Sequence, residues 1–123
     1  MILLNSFYTI TEYNNENNKL NAVIGINPGH EIFQGHFPGQ PVVPGVCMVQ
    51  IVKELMEQQT GKQLLFSKGH QLKFLQLMVP EKEEAIQVNI SWNQEGPQYH
   101  TSADFKKNNE ATFKLSGIFL EQQ

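Results

Sequence analysis

The sequence contains no arginine: its nine positive charges are lysines spread along 123 residues, and the net charge is −3. Nucleic-acid-binding proteins cluster Lys and Arg against phosphates, so this composition argues against a nucleic-acid partner. A single cysteine excludes an internal disulfide framework and favours a reducing compartment. The apolar start, Met1–Leu4, is too short for a signal sequence or a membrane span. We therefore expect a soluble, cytoplasmic protein.

The most distinctive stretch runs from Gly35 to Leu55 and reads GHFPGQPVVPGVCMVQIVKEL. Its three loop prolines, Pro38, Pro41 and Pro44, each fix φ and remove a backbone donor, which excludes a regular helix or a central strand. A loop stiffened in this way typically holds a few side chains in place on a scaffold built by its neighbours. His36 is the first of these side chains.

Hydrophobic periodicity predicts the scaffold. Alternation over Phe7–Tyr13 and Leu20–Ile26 predicts a hairpin with a polar turn, Asn14–Lys19. A helix is expected to begin at Gly45, after Pro44, and to end at Gly61, with its first half buried on every side except at Gln50. Further strand-like runs, expected to form an antiparallel meander, are Leu64–Phe66, Leu72–Val79, Ala85–Trp92, Tyr99–Phe105 and Ala111–Leu120. These elements predict one α+β domain, residues 1–123, with a long central helix wrapped by a curved antiparallel sheet.

The segment GHFPGQPVVPGV closely resembles the active-site signature of the 3-hydroxyacyl-acyl carrier protein dehydratases (FabZ/FabA-like), which have the hotdog fold. The resemblance extends through the preceding IFQ, the helix and LKFLQLMVPEKE. It implies a homodimer or higher homo-oligomer, or a heterodimer with a paralogue, whose sheets join and whose active site lies at the subunit interface. It also implies a substrate linked to acyl carrier protein or coenzyme A, and a reaction that needs no metal or cofactor.

The resemblance assigns roles to individual residues. His36 takes the proton next to the thioester carbonyl, and the Gly45 amide donates a hydrogen bond to that carbonyl. A carboxylate that serves the departing hydroxyl is expected 14 residues after the histidine, where this chain has Gln50. The expected substrate-binding residues are Phe37, Pro44, Val46 and Glu54.

The chemistry of these residues supports part of this assignment. Imidazole titrates near neutral pH, as a general base requires. No Ser, Thr, Asp or Asn caps the helix, so the amides of Gly45, Val46 and Cys47 are expected to face the loop. Gln50 should be hydrogen-bonded, but an amide cannot deliver a proton. The proton could come from Glu54 through a water or from a partner subunit, or the protein could bind thioesters without dehydrating them.

Three functions follow from this: a dehydratase acting on 3-hydroxyacyl thioesters, a catalytically impaired hotdog subunit that binds acyl thioesters or pairs with an active paralogue, or an acyl thioesterase that uses Glu54. Cys47 near a helix N-terminus could be a nucleophile, but a small buried hydrophobe is favoured. His30, His70 and His100 lack metal-ligand spacing. Four phenylalanines are expected first in the core, although some of them could line an acyl tunnel: Phe33, Phe37, Phe66 and Phe74. The lysines that could dock an acidic carrier protein are Lys62, Lys68, Lys73 and Lys82.

Overall fold

An antiparallel sheet and one long helix make up the scaffold. The computed structural model describes residues 2–35, 41–81 and 84–122. Within these ranges the elements are β1 (Tyr8–Glu16), β2 (Lys19–Ile26), α1 (Ile32–Gly35), α2 (Gly45–Thr60), β3 (Leu64–Phe74), β4 (Ile86–Glu95), β5 (Gln98–Lys107) and β6 (Glu110–Glu121). The six strands form one sheet in the order β1-β2-β4-β5-β6-β3, and every neighbouring pair is antiparallel. The predicted α+β class with a central helix is confirmed.

The core lies between α2 and one face of the sheet. Burial alternates along β2, β4 and β5, so every second side chain of these strands enters the core. The helix contributes Cys47, Met48, Ile51, Val52, Leu55 and Met56. Full burial of a Leu, Ile or Met side chain stabilises a fold by about 1.5–3 kcal/mol, so this face holds α2 against the sheet.

Both predicted helix ends are confirmed. Gly61 adopts the left-handed conformation with φ 71°, and its amide donates to the Glu57 carbonyl. The prediction that the first half of α2 is buried all round is wrong, because Val46 is 65% exposed. At 100° per residue, Val46 lies roughly opposite the sheet-facing side chains, and that side of the first turn has no sheet over it.

The predicted turns are shorter than expected because the strands extend into them. β1 continues to Glu16 and β2 starts at Lys19, leaving Asn17 and Asn18 as the turn. Between β5 and β6, Asn108 and Asn109 both have positive φ, 53° and 64°. This pattern matches a two-residue type I′ turn, which asparagine tolerates.

The region after α2 differs most from the prediction. Leu64–Phe66 and Leu72–Val79 were expected as two strands, but Leu64–Phe74 is a single strand that pairs with β6. The pairing continues through the polar middle of β3 with two register shifts, at Phe66/Lys68 and Gly69/Gln71. The strand stops after Phe74 because the amides of Leu75 and Gln76 both converge on the Thr112 carbonyl. A meander therefore describes only β4, β5 and β6.

β3 is an edge strand with an apolar, exposed end. Within the described residues its recorded strand partner is β6, at the far end of the sheet from β1. The large apolar side chains exposed in β3 and just after it are Leu65, Leu72, Phe74, Leu75, Leu77 and Val79. In the part of the chain that the structure describes, no helix has both the length and the apolar character needed to cross a bilayer.

Candidate active site

The first turn of α2 offers backbone donors. Pro44 precedes the helix in an extended conformation, φ −64° and ψ 144°, and no side chain caps the helix. Its carbonyl accepts hydrogen bonds from the amides of Cys47, at 3.0 Å, and Met48, at 3.3 Å. The Cys47 amide therefore lacks a side-chain partner, as expected, and is bonded to a backbone carbonyl instead. Among the described residues, no hydrogen bond is recorded from the amides of Gly45 and Val46, which lie at the positive end of the helix dipole.

The ring of Phe74 lies against Gly45. A Cβ atom built on residue 45 would stand 2.6 Å from Phe74 Cζ and 2.7 Å from Cε1, so this contact requires glycine. The ring also packs on the buried Phe113, with 5.1 Å between centroids, yet Phe74 is 60% exposed. The expectation that Phe74 belongs to the core is wrong, because the sheet ends at β3 and covers one side of the ring.

Gln50 is hydrogen-bonded, as the sequence predicts. Its side-chain Nε2 donates to Glu54 Oε2 at 2.8 Å, one helical turn further along α2. Both residues are half-buried and line a groove of about 470 Å³. The amide of Gln50 is therefore oriented by a carboxylate, which leaves its chemistry that of a hydrogen-bonding group.

Glu54 holds the N-terminal segment of the chain. Its Oε2 accepts from the Leu3 amide at 2.7 Å, and its Oε1 accepts from the Leu4 amide at 2.9 Å. The Tyr8 hydroxyl also donates to Oε1, at 3.1 Å. Burial, reinforced by the charge and the hydrogen bond of Glu54, raises the pKa of Tyr8, so the phenol stays a donor. Counting Gln50, four donors converge on one carboxylate, which makes Glu54 a structural anchor.

Sequence reasoning missed this anchor. It considered Glu54 as a water-mediated acid, a thioesterase carboxylate or a substrate contact. The spacing of Gln50 and Glu54, four residues on one helix face, signals their side-chain contact. Nothing in the sequence signals that backbone amides 50 and 51 positions away would reach the same carboxylate.

Among the described residues, the candidates on α2 do not all face the same direction. Gln50 follows Gly45 by five residues, which places it about 140° around α2 and about 7.5 Å along the axis. Gly45 thus lies against Phe74, while Gln50 and Glu54 form a second group with the N-terminal segment, and Val46, four residues before Gln50, lies on the same helix face as Gln50. His36 and Phe37 lie outside the described residues.

The remaining candidates have ordinary surroundings. Cys47 is 2% exposed, as expected for a small buried hydrophobe, and burial raises the pKa of its thiol. His30 Nδ1 accepts from the Ile32 amide at 3.1 Å, at the start of α1, an element that the sequence analysis did not predict. In the described ranges, no group of three His, Cys, Asp or Glu side chains is arranged to hold a metal ion.

The other expected core and docking residues fall into two groups. Phe33 is buried at 6% exposure, and Phe66 is half-buried against Phe119 with 5.0 Å between ring centroids. Lys62, Lys68 and Lys73 are exposed, and Lys82 lies outside the described residues.

The arrangement of one central helix against an antiparallel sheet is that of hotdog proteins. The dehydratase heterocomplex ApeI:P from Xenorhabdus doucetiae matches with a TM-score of 0.74 at 18% identity, covering 91% of this chain and 96% of that chain. An uncharacterized protein from Erwinia carotovora subsp. atroseptica matches with a TM-score of 0.65 at 18% identity, covering 93% and 92% of the two chains. These likenesses confirm the predicted hotdog fold.

The family is identified by comparison of the sequence with family models. The model of the ApeI-like family, described as ApeI dehydratase, matches residues 12–116, and the chain belongs to this family. The 3-hydroxyacyl-acyl-carrier-protein dehydratase FabZ of Clostridium acetobutylicum is 30% identical over 67 residues, which are 49% of this chain and 48% of that protein. The chain spans about half the length of the curated relatives it matches. The predicted resemblance to FabZ/FabA-like dehydratases is confirmed, and the roles of the site residues stay predictions.

Proposed function

We propose that this dehydratase-like hotdog protein removes water from 3-hydroxyacyl thioesters carried by acyl carrier protein or coenzyme A. His36 takes the proton from carbon 2, the electron pair forms the double bond between carbons 2 and 3, and the hydroxyl on carbon 3 leaves as water after accepting a proton. The main support for this proposal is the uncapped first turn of α2. Its Gly45 amide is available to the thioester oxygen directly after Pro44, the last proline of the GHFPGQPVVPGV segment.

This turn suits a developing negative charge. Removal of the carbon 2 proton moves charge onto the thioester oxygen, where a backbone amide at a helix N-terminus is already oriented. Losing one such donor typically costs about 10²–10³ in rate. Val46 lies beside Gly45 and is exposed, so its side chain is available to the substrate, as is the ring of Phe74.

The rotation of about 140° around α2 between Gly45 and Gln50 supports a shared site. We propose that the first turn of α2 from one subunit faces Gln50 of another. β3 is the strand through which two subunits would pair. Among the described residues its recorded strand partner is β6, so the backbone groups on its other edge and the apolar Leu72 can pair with a second β3. Light scattering should give twice the chain mass, and Leu72→Lys should shift the protein towards monomer.

The source of the proton for the departing hydroxyl distinguishes a dehydratase that acts alone from a subunit that needs an active paralogue. Glu54 is a poor source because its oxygens already accept four hydrogen bonds. The same contacts count against a thioesterase that uses Glu54. A paralogue with a carboxylate at the position of Gln50 would supply the acid in a heterodimer, and the pairing of ApeI:P in a heterocomplex gives a precedent for such pairing.

Turnover tests the proposal. Purified protein is incubated with a 3-hydroxybutanoyl-carrier thioester, and the trans-2-enoyl product is measured for wild type, His36→Ala and the control His100→Ala. His100 is an exposed histidine on β5, away from the β3 edge. We expect product from wild type and His100→Ala, and none from His36→Ala. Equal inactivity of wild type and His36→Ala would reject dehydration by this chain alone. Activity regained with a carboxylate-bearing paralogue would then support the heterodimer.

A further inference from the structure

We propose that Phe74 determines which acyl groups the site accepts, by forming a wall beside the Gly45 amide that excludes a branch on carbon 2 of the acyl chain. The inference rests on the proposed function to this extent: it takes Gly45 as the donor to the thioester carbonyl. It adds a specificity residue that lies outside the signature loop.

The contact distances place the ring beside Gly45, where the proposed function puts the reacting end of the substrate. Because a Cβ on residue 45 would be 2.6 Å from Phe74 Cζ, the ring lies at most about 4 Å from the Gly45 Cα. An oxygen bound to the Gly45 amide would lie about 2.9 Å from its nitrogen. Carbon 2 of the acyl chain is one bond beyond the carbonyl carbon, so a methyl group on it is within contact range of the ring.

The ring is held in place from behind. Phe74 is the cross-strand partner of Phe113, and the two centroids are 5.1 Å apart. Phe113 in turn packs edge-on against Phe105 at 5.7 Å, and both of these residues are fully buried. Phe113 therefore supports one side of the ring, and the other side, which is exposed in the single chain, can contact a ligand. One methyl group more or less in such a pocket changes affinity by roughly 10–200-fold.

Binding of two matched ligands tests the inference without requiring turnover. Butanoyl-coenzyme A and 2-methylbutanoyl-coenzyme A are titrated calorimetrically into wild type, Phe74→Ala, Phe74→Leu and the control Leu77→Ala. Leu77 is 77% exposed just beyond β3, so this control removes a comparable apolar side chain without touching Gly45. Thermal melting of each variant establishes that it is folded.

We expect wild type and Leu77→Ala to prefer the linear ligand by about tenfold or more. The ratio of the affinities for the linear and the branched ligand should fall close to one in Phe74→Ala and to an intermediate value in Phe74→Leu. The inference is overturned if wild type does not discriminate, if Phe74→Ala keeps the preference, or if neither ligand binds.

Dehydration of 3-hydroxybutanoyl thioester, measured on the same samples, separates the two proposals. Loss of discrimination in Phe74→Ala without any dehydration by wild type would reject the dehydratase activity and leave the Phe74 assignment standing. Dehydration with unchanged discrimination would reject the Phe74 assignment alone. If Phe74 serves only as a subunit contact, Phe74→Ala changes the oligomeric mass and leaves the ligand preference unchanged.

Discussion

The side-chain amide of Gln50 donates to Glu54 Oε2 across 2.8 Å, so the position where related dehydratases are expected to have a carboxylate is tied to a carboxylate one turn away. This arrangement requires a hydrogen-bond donor at position 50, which an amide supplies. A carboxylate at position 50 would instead lie against the carboxylate of Glu54. The natural chain thus has an ordered site that lacks an acid at this point.

Replacing Gln50 with glutamate should increase dehydration. Two carboxyl groups this close cannot both be ionised without repulsion, so one of them should hold a proton. Because Glu54 already accepts hydrogen bonds from Leu3, Leu4 and Tyr8, the new side chain is the better place for it. General acid assistance is worth about 10²–10⁴ in rate. Steady-state turnover of Gln50→Glu against wild type and Gln50→Ala measures the gain. Equal rates for Gln50→Glu and Gln50→Ala would contradict it.

Replacing Glu54 with glutamine should destabilise the fold. The amide keeps one acceptor oxygen and turns an NH₂ group towards donors, so at least one backbone amide of Leu3 or Leu4 loses its partner. The expected loss is on the order of 1–3 kcal/mol in the free energy of unfolding, measured by urea denaturation. Gln58→Ala, an exposed change on the same helix, serves as the control. A loss no larger than that of the control would show that the anchor contributes nothing to stability.

Gly45→Ala should be destabilising, and Phe74→Ala should relieve part of that loss. The added methyl group would lie 2.6 Å from Phe74 Cζ, so the ring must shift from its packing on Phe113, at a cost of up to about 1–3 kcal/mol. Gly25→Ala, whose Cβ would meet nothing closer than Thr9 Oγ1 at 3.7 Å, is the matched control. Free energies of unfolding for both single variants and the double variant give the coupling. Strict additivity would mean that the two residues do not touch.

Stability should fall at high pH partly through the buried tyrosines. Burial, followed by the hydrogen bond and charge of Glu121, raises the pKa of Tyr99 from 10.0 to about 12. Above pH 10 the unfolded chain releases this proton while the folded chain keeps it, so the contribution of Tyr99 is complete below pH 10 and is lost towards pH 12. Tyr8 acts in the same direction.

Denaturation of wild type and Tyr99→Phe across this pH range isolates the effect. The variant lacks the titrating group, so its stability should decline less steeply than that of wild type above pH 10. Parallel declines would rule out a raised pKa for Tyr99. The comparison also cancels the titration of the lysines, which both proteins share.

Local patterns predicted most of the scaffold. The ends of α2 follow from Pro44 and Gly61, which act through their own backbone geometry. β2 follows from alternation along one strand. The continuity of β3 could not be predicted from local sequence. Its polar middle stays in the strand because it pairs with β6, which is far along the chain. Tertiary pairing overrides local composition at such positions.

For the candidate site, the sequence predicted the uncapped start of α2 and the need of Gln50 for a partner. It could not reveal the anchor at Glu54 or the contact between Phe74 and Gly45. Both depend on groups brought together by the fold: backbone amides near the N-terminus in one case and the ring of an edge strand in the other.

The central claim, that the Gly45 amide in the first turn of α2 holds the thioester carbonyl, is tested most directly by infrared spectroscopy of the bound ligand. Butanoyl-coenzyme A carrying ¹³C at the carbonyl is compared free and bound, using the isotope difference to isolate its stretching band. Hydrogen bonding by the amide should move the carbonyl band of the bound thioester to a lower frequency than in water-free solvent. Dehydratase turnover should be seen in the same preparation. A bound thioester whose carbonyl band is unchanged from that in water-free solvent would contradict the account.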